Sequence, residues 1–246
     1  MGIQIYDVRA GDKEIDNEVL AKIRDVYSCS VKEGRLLYKL ASECTGKGVI
    51  VEIGSWKGYS TIWIASGSKA GNHVDVYAID TFAGDKLHYG KGEAETYREF
   101  MQNITEAKVR DIITPMCMSS EIAAKSWDDK PIEFIFIDGD HEDVYADFLR
   151  WYPHIVDGGI VALHDTVAWP SMIPYKVAIN ELYKGNDFRE VKQVGSITYA
   201  TKISRCCTFW ERDKKRDAIC RRYLYQALIP YWTKSKIIGG KILGRG

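Results

Sequence analysis

The sequence predicts an α/β protein built on a doubly wound, Rossmann-like sheet of seven strands, mostly parallel and closed by an antiparallel hairpin, with helices before it and a basic helix after it. Three observations predict it. Short β-branched runs, four of the five ending on glycine or polar residues, alternate five times with amphipathic segments, the pattern of successive strand-helix units in a parallel sheet. The last two strand candidates are joined by Gly195 and Ser196 alone, too short a link for a parallel crossover, so they must pair antiparallel. Finally, 246 residues, 46% of them hydrophobic, suit one such domain with a modest appendage and not two full domains.

Along the chain, Ile15, Val19, Ile23, Val26 and Tyr27, then Leu36, Leu37, Leu40, Ala41 and Cys44, recur at helical spacing and place two helices before the sheet. The run 48–53 (GVIVEI) reads as a strand buried on both faces, and a helix follows it from about Tyr59. Strands at 74–79, 112–116, 132–137 and 160–163 then alternate with helices at 95–107, 121–126 and 143–152, the last carrying an apolar stripe of Tyr145, Phe148, Leu149 and Tyr152. A helix at 177–183 leads into the hairpin of 188–194 and 197–203. Over 209–229, Ile219, Tyr223, Leu224, Ala227 and Leu228 face one way while Arg212, Lys214, Lys215, Arg216, Arg221 and Arg222 crowd the rest, and Pro230 stops the helix. We expect one domain over 1–204, with its core at 48–203, and a basic helical extension over 205–246.

Charge divides the chain the same way. Thirty-four Lys and Arg balance thirty-four Asp and Glu, yet eleven of the basic and only three of the acidic residues lie from Arg205 onward, a net of +8 there against −8 on the body. A neutral whole gives no field to gather nucleic acid. No basic and apolar leader opens the chain and no run of eighteen apolar residues occurs in it, so the expectation is a soluble, cytoplasmic protein. Six cysteines at irregular spacing, without a Cys-x-x-Cys pair, signal neither zinc nor a disulfide framework.

Ligands of open α/β sheets lie beyond the carboxyl ends of the strands. The first strand runs into Glu52-Ile53-Gly54-Ser55-Trp56-Lys57-Gly58, where glycines let the backbone approach a ligand and a helix N-terminus follows. This is not the Gly-x-Gly-x-x-Gly of nicotinamide enzymes. Glu52 is ill placed beside a pyrophosphate but suits the ammonium group of a sulfonium cofactor. The second strand ends on Asp80, twenty-six residues after Gly54, where a carboxylate can accept both hydroxyls of a ribose. Met118-Ser119-Ser120 could edge an adenine, or Ser119 could simply cap the next helix. Gly-x-Ser-x-Gly, the phosphate-binding Gly-x-x-x-x-Gly-Lys-Ser/Thr and His-Glu-x-x-His are all absent.

Taken together, Glu52 to Ser60, Asp80, Ser119, Phe136-Ile137-Asp138 and Ala162-Leu163-His164-Asp165 resemble class I S-adenosylmethionine-dependent methyltransferases of the catechol O-methyltransferase type, and more closely the group of macrocin-type sugar O-methyltransferases and cephalosporin hydroxylase-like proteins. The resemblance spans about 48–203 and implies that Glu52, Gly54, Ser55, Trp56, Gly58, Ser60, Asp80, Thr81, Ser119 and Asp138 line the cofactor site. It also implies a magnesium ion, or another divalent metal, on Asp138, His164 and Asp165; His164 stands where the family usually has an acidic residue. Without a metal, Asp138 and Asp165 would be helix or loop caps. The lysine that deprotonates the acceptor in catechol-type enzymes has no counterpart here, which makes His141, in Asp138-Gly139-Asp140-His141, the candidate base, unless it caps a helix or touches adenosine.

The implied reaction is O-methylation of a sugar or other small natural product. The loops 82–92 (with Gly84, His88, Tyr89 and Gly90) and 167–174 (with Trp169) are the candidate acceptor walls. The basic tail could lie on an anionic membrane, an acidic glycan, or the acidic body of its own or a neighbouring subunit, and a homodimer is the preferred assembly. Two competitors are a nicotinamide-dependent oxidoreductase and a cofactor-binding protein that docks through its tail, with a lapsed metal site at His164.

Overall fold

The fold follows from where the chain can bury strands on both faces. The computed structural model describes residue 21 and residues 29–83, 93–167, 172–205 and 208–220. The first expected N-terminal helix, loop residues Gly84, His88, Tyr89, Gly90 and Trp169, and the tail from Arg221 lie outside the described residues.

Helix α1 (Val31–Ser42) starts with a reciprocal cap: the Ser30 hydroxyl accepts from the Glu33 amide, and Glu33 accepts from the Ser30 amide at 2.7 Å. It buries Leu36, Leu37, Leu40 and Ala41. Strand β1 (Val49–Ile53) leads to α2 (Tyr59–Ala70), which packs closely on α1 because glycines stand at the crossing. A Cβ at Gly67 would lie 2.1 Å from the Tyr38 carbonyl oxygen. There follow β2 (Val76–Asp80), α3 (Glu93–Glu106), β3 (Ile113–Cys117), α4 (Ser120–Lys125), β4 (Ile132–Ile137), α5 (Val144–Trp151) and β5 (Ile155–Leu163). Helix α6 (Ile173–Val177) continues as a π-helical stretch, Ala178–Tyr183, before β6 (Phe188–Val194) and β7 (Ile197–Lys202).

All seven strands form one sheet in the order β3-β2-β1-β4-β5-β7-β6. The first five run parallel and β7 pairs antiparallel with both β5 and β6, the latter as the two-residue link requires. Alternate side chains serve two cores. Ile50, Val76, Ala78, Phe134 and Phe136 pack under α1, α2 and α3, while Val51, Ile53, Ile79, Ile135 and Ile137 pack under α4, α5 and α6. Strand order reverses between β1 and β4, so a crevice opens where Gly54 and Asp138 leave the sheet.

Three expectations need correction. Strand β5 begins at Ile155 and not Ile160, because Ile155 already pairs with Ile132 before an irregularity around Gly158 and Gly159. The helix expected at 177–183 begins earlier, at Ile173, with Pro174 in its first turn. The buried stripe of α5 is Val144, Phe148 and Trp151, while Tyr145 and Leu149 are exposed. Trp151 turns inward because its indole N–H donates to Ser120 Oγ at 2.8 Å and its ring stacks edge-on against Trp127.

The basic segment is helical over 209–220, here α7. Ala218 and Ile219 pack on Tyr175, Ile179 and Tyr183, and the buried Lys215 ammonium donates to the carbonyls of Gly185 and Phe188. One side of α7 therefore rests on its own domain. No helix of the described residues is long and apolar enough to cross a membrane.

Candidate active site

The first turn is shaped by close backbone approach. Gly54 has φ +89°, and a Cβ there would stand 2.3 Å from the Asp138 carbonyl oxygen, so only glycine fits between β1 and β4. Gly58, also at φ +89°, precedes α2 with no side-chain cap, which leaves amides at that helix N-terminus for a ligand. The Asp80 carboxylate ties this turn to the next: Oδ2 accepts from the Trp56 amide at 2.7 Å and Oδ1 from the Phe82 amide at 2.7 Å. The Ser55 amide also bears on this carboxylate, which still keeps acceptor capacity for a ribose hydroxyl. Thr81, beside it, is exposed, and its Oγ1 accepts from the Ala83 amide. Ser119 proves to be the N-cap of α4, accepting from the Ile122 amide at 3.3 Å.

Glu52 is fully buried. Thr61 Oγ1 donates to its Oε2, whereas Oε1 and the Ser55 hydroxyl beside the carboxylate are buried without a well-aligned hydrogen bond. Burial raises the Glu52 carboxyl to about 7; contacts from Ser60, Thr61 and Ser55 partly offset this, and the negative Asp138 adds to it. Two such polar atoms at the end of a central strand call for an incoming donor, and an ammonium group would supply it. A cation there binds the ionised form, so cofactor affinity should fall as pH drops below about 7, approaching tenfold per unit. Glu52→Gln should bind more weakly and lose that pH dependence, which calorimetry over a pH series would read.

Beyond β4 and β5 a charged cluster converges. His164 Nδ1 lies 2.8 Å from Asp138 Oδ1 and 3.5 Å from Asp165 Oδ2, and His141 Nε2 lies 2.9 Å from Asp165 Oδ2. His164 is only 9% exposed. Burial would push its imidazole down, but Asp138 and then Asp165 outweigh it and raise it to about 11. Contact with His164 in turn holds Asp165 down at about 2, while burial pushes Asp138 up. Neither aspartate is a helix cap: α5 starts from Asp143 and α6 from Met172.

Ligand atoms of Asp138, His164 and Asp165 lie within 4.8 Å of one another. Neither ring nitrogen of His164, though buried and close to carboxylates, makes a directed hydrogen bond. These residues fit a divalent cation. An imidazole with two carboxylates favours a first-row ion such as Mn²⁺ over Mg²⁺, which prefers oxygen and water.

Two residues escape the sequence reading. Thr61 gave no signal beyond its place in a helix. Glu33 gave no site signal either, yet it receives the Ser196 hydroxyl at 2.8 Å and lies 3.9 Å from His164 Nε2. Thr166 Oγ1 donates to the Ser196 carbonyl at 2.7 Å, so the β6–β7 turn braces the loop that carries His164 and Asp165.

A family model described as a methyltransferase domain matches residues 51–166. Among solved structures, the O-methyltransferase TomG from Streptomyces achromogenes, involved in tomaymycin synthesis and determined with S-adenosylmethionine, is 19% identical; the match covers 76% of this chain and 90% of that one, with a TM-score of 0.59. An O-methyltransferase from Bacillus cereus in complex with S-adenosylhomocysteine is 22% identical over 76% of this chain and 90% of that one, with a TM-score of 0.57. At such identity these likenesses establish a common fold.

Proposed function

We propose, on the premise that residues 51–166 match a methyltransferase domain, that the chain is a class I S-adenosylmethionine-dependent enzyme that methylates a hydroxyl oxygen of a small polyhydroxylated acceptor, a sugar or comparable natural product. The observation that carries this reading is the meeting of Asp138, His164, Asp165 and His141 at the ends of β4 and β5, across the Gly54 crevice from β1. An oxygen nucleophile needs a base and a cationic site, and both are within reach there.

Glu52 and Asp80 would hold the ammonium and ribose ends of the methyl donor, and Ser55 would complete the cradle. Asp165 holds His141 through Nε2, which leaves Nδ1 to take the acceptor proton. As the acceptor oxygen bonds the methyl carbon, the carbon–sulfur bond breaks and S-adenosylhomocysteine departs. No protein nucleophile is required, since positioning two reactants supplies most of the rate. A divalent ion held by Asp138, His164 and Asp165 would stabilise negative charge on an acceptor oxygen. The similar TomG, an O-methyltransferase involved in tomaymycin synthesis, is a precedent for oxygen methylation on this fold.

Calorimetric titration of S-adenosylhomocysteine, with and without Mg²⁺ or Mn²⁺, tests the reading. Asp80→Ala removes a charged acceptor and should weaken binding by roughly tenfold to a hundredfold. Methyl transfer to an acceptor panel should depend on the metal and be lost in Asp138→Ala/Asp165→Ala. A protein that binds no S-adenosylhomocysteine would overturn the assignment. One that binds it yet methylates nothing would instead be a cofactor-binding protein of this fold.

A further inference from the structure

The inner side of α7 is accounted for by Lys215, Ala218 and Ile219, which rest on the domain. Its outer side is not. Phe209 and Trp210 are 67% and 73% exposed, the two most exposed large apolar side chains among the described residues. Their rings meet edge to face at 5.6 Å and form one joint apolar surface. Exposed Arg212, Lys214 and Arg216 follow within two helical turns. Of the acidic groups on this helix, Glu211 is engaged by Arg205 and Asp213 by Arg216, both at 2.7 Å, and exposed Asp217 adds one negative charge, so the excess of cations comes from the sequence beyond α7.

We propose that this outer side of α7 is a docking surface for an anionic lipid membrane. Aromatic rings sit at the headgroup level with their polar edges wet, and flanking cations meet the negative surface of the leaflet. The sequence extends the same chemistry past α7: residues 221–246 hold six basic residues and no acidic one, interleaved with Tyr223, Tyr225, Tyr231 and Trp232. That composition matches an interfacial segment better than a purely electrostatic one, which would need cations without the aromatic residues. The charge division then orients the molecule, for the body at −8 is repelled by a surface that draws the +8 segment from Arg205 onward. The surface lies apart from the Gly54 crevice in sequence and element, so docking there does not depend on which acceptor is methylated.

Flotation of the full chain with vesicles of phosphatidylcholine and phosphatidylserine, against phosphatidylcholine alone, tests it. Binding should require the anionic lipid and weaken with salt. Phe209→Ser/Trp210→Ser should lower it roughly tenfold, as should Arg212→Gln/Lys214→Gln/Arg216→Gln. Unchanged S-adenosylhomocysteine affinity would show that both variants remain folded. The proposal falls if the natural sequence ignores the vesicles, if the aromatic variant binds them as well as the natural sequence does, or if the aromatic variant instead only dissociates a dimer.

Discussion

His141→Ala should lower the turnover of methyl transfer by about 10²- to 10⁴-fold, the usual contribution of a positioned general base, while leaving S-adenosylhomocysteine affinity almost unchanged. The expectation rests on geometry. His141 is the half-exposed partner in the cluster, with Nε2 held 2.9 Å from Asp165 Oδ2, so its other nitrogen is free to face an acceptor. His164 cannot take that part: it is buried between two carboxylates, and its proton is held up to about 11. Asp165→Asn should reproduce much of the loss, because the amide no longer fixes the imidazole tautomer. Single-turnover rates alongside donor titration separate this from a binding defect. Should His141→Ala keep activity within a few-fold of the natural protein, the proton goes elsewhere, and Asp138, whose carboxyl burial pushes up, becomes the candidate.

Gly54→Ala should be the most damaging single change in the cofactor half. The new methyl would sit 2.3 Å from the Asp138 carbonyl oxygen, in a residue at φ +89°, so β1 and β4 must part at the crevice. Strain and overpacking of this kind cost about 1–3 kcal/mol of stability. Displacement of both Glu52 and Asp138 should then weaken S-adenosylhomocysteine by roughly a hundredfold or more, since each misplaced charged contact is worth about 1.5–3 kcal/mol. Gly46→Ala supplies the comparison. It has a similar φ of +86° with nothing within 4 Å of the added carbon, so it should show the backbone strain alone and bind cofactor normally. Thermal melts and calorimetry on the pair distinguish the two causes, and equal behaviour of the two variants would remove the case for close approach at Gly54.

Much of this was legible in local sequence. Two-residue spacing at Gly195-Ser196 forced the antiparallel finish, and it is found in the pairing of Val194 with Ile197. Strand ends named Glu52, Asp80 and Asp138 because polar residues at the carboxyl ends of buried strands can only face a crevice. The helix-facing details were less legible. Periodicity pointed to the Tyr145 side of α5 and the Trp151 side is buried instead, since both are apolar and the choice hangs on Ser120, thirty-one residues away. Ser119 accepts from the Ile122 amide three residues on, a local cap that the sequence already offered as one of its two readings.

By itself the sequence determined the sheet, its hairpin and the loops that meet at the crevice, because each depends on residues within one turn or one strand of their neighbours. Only tertiary structure decided what the polar groups do once there. Glu33 and Ser196 stand 163 positions apart, and no local pattern relates them. His164 is set by Asp138, Asp165 and Glu33 on three separate elements, and its charge depends on how deeply that meeting point is buried. Electrostatic energy depends on distance through space and on the surrounding dielectric, and the order of residues along a chain encodes neither until the chain has folded.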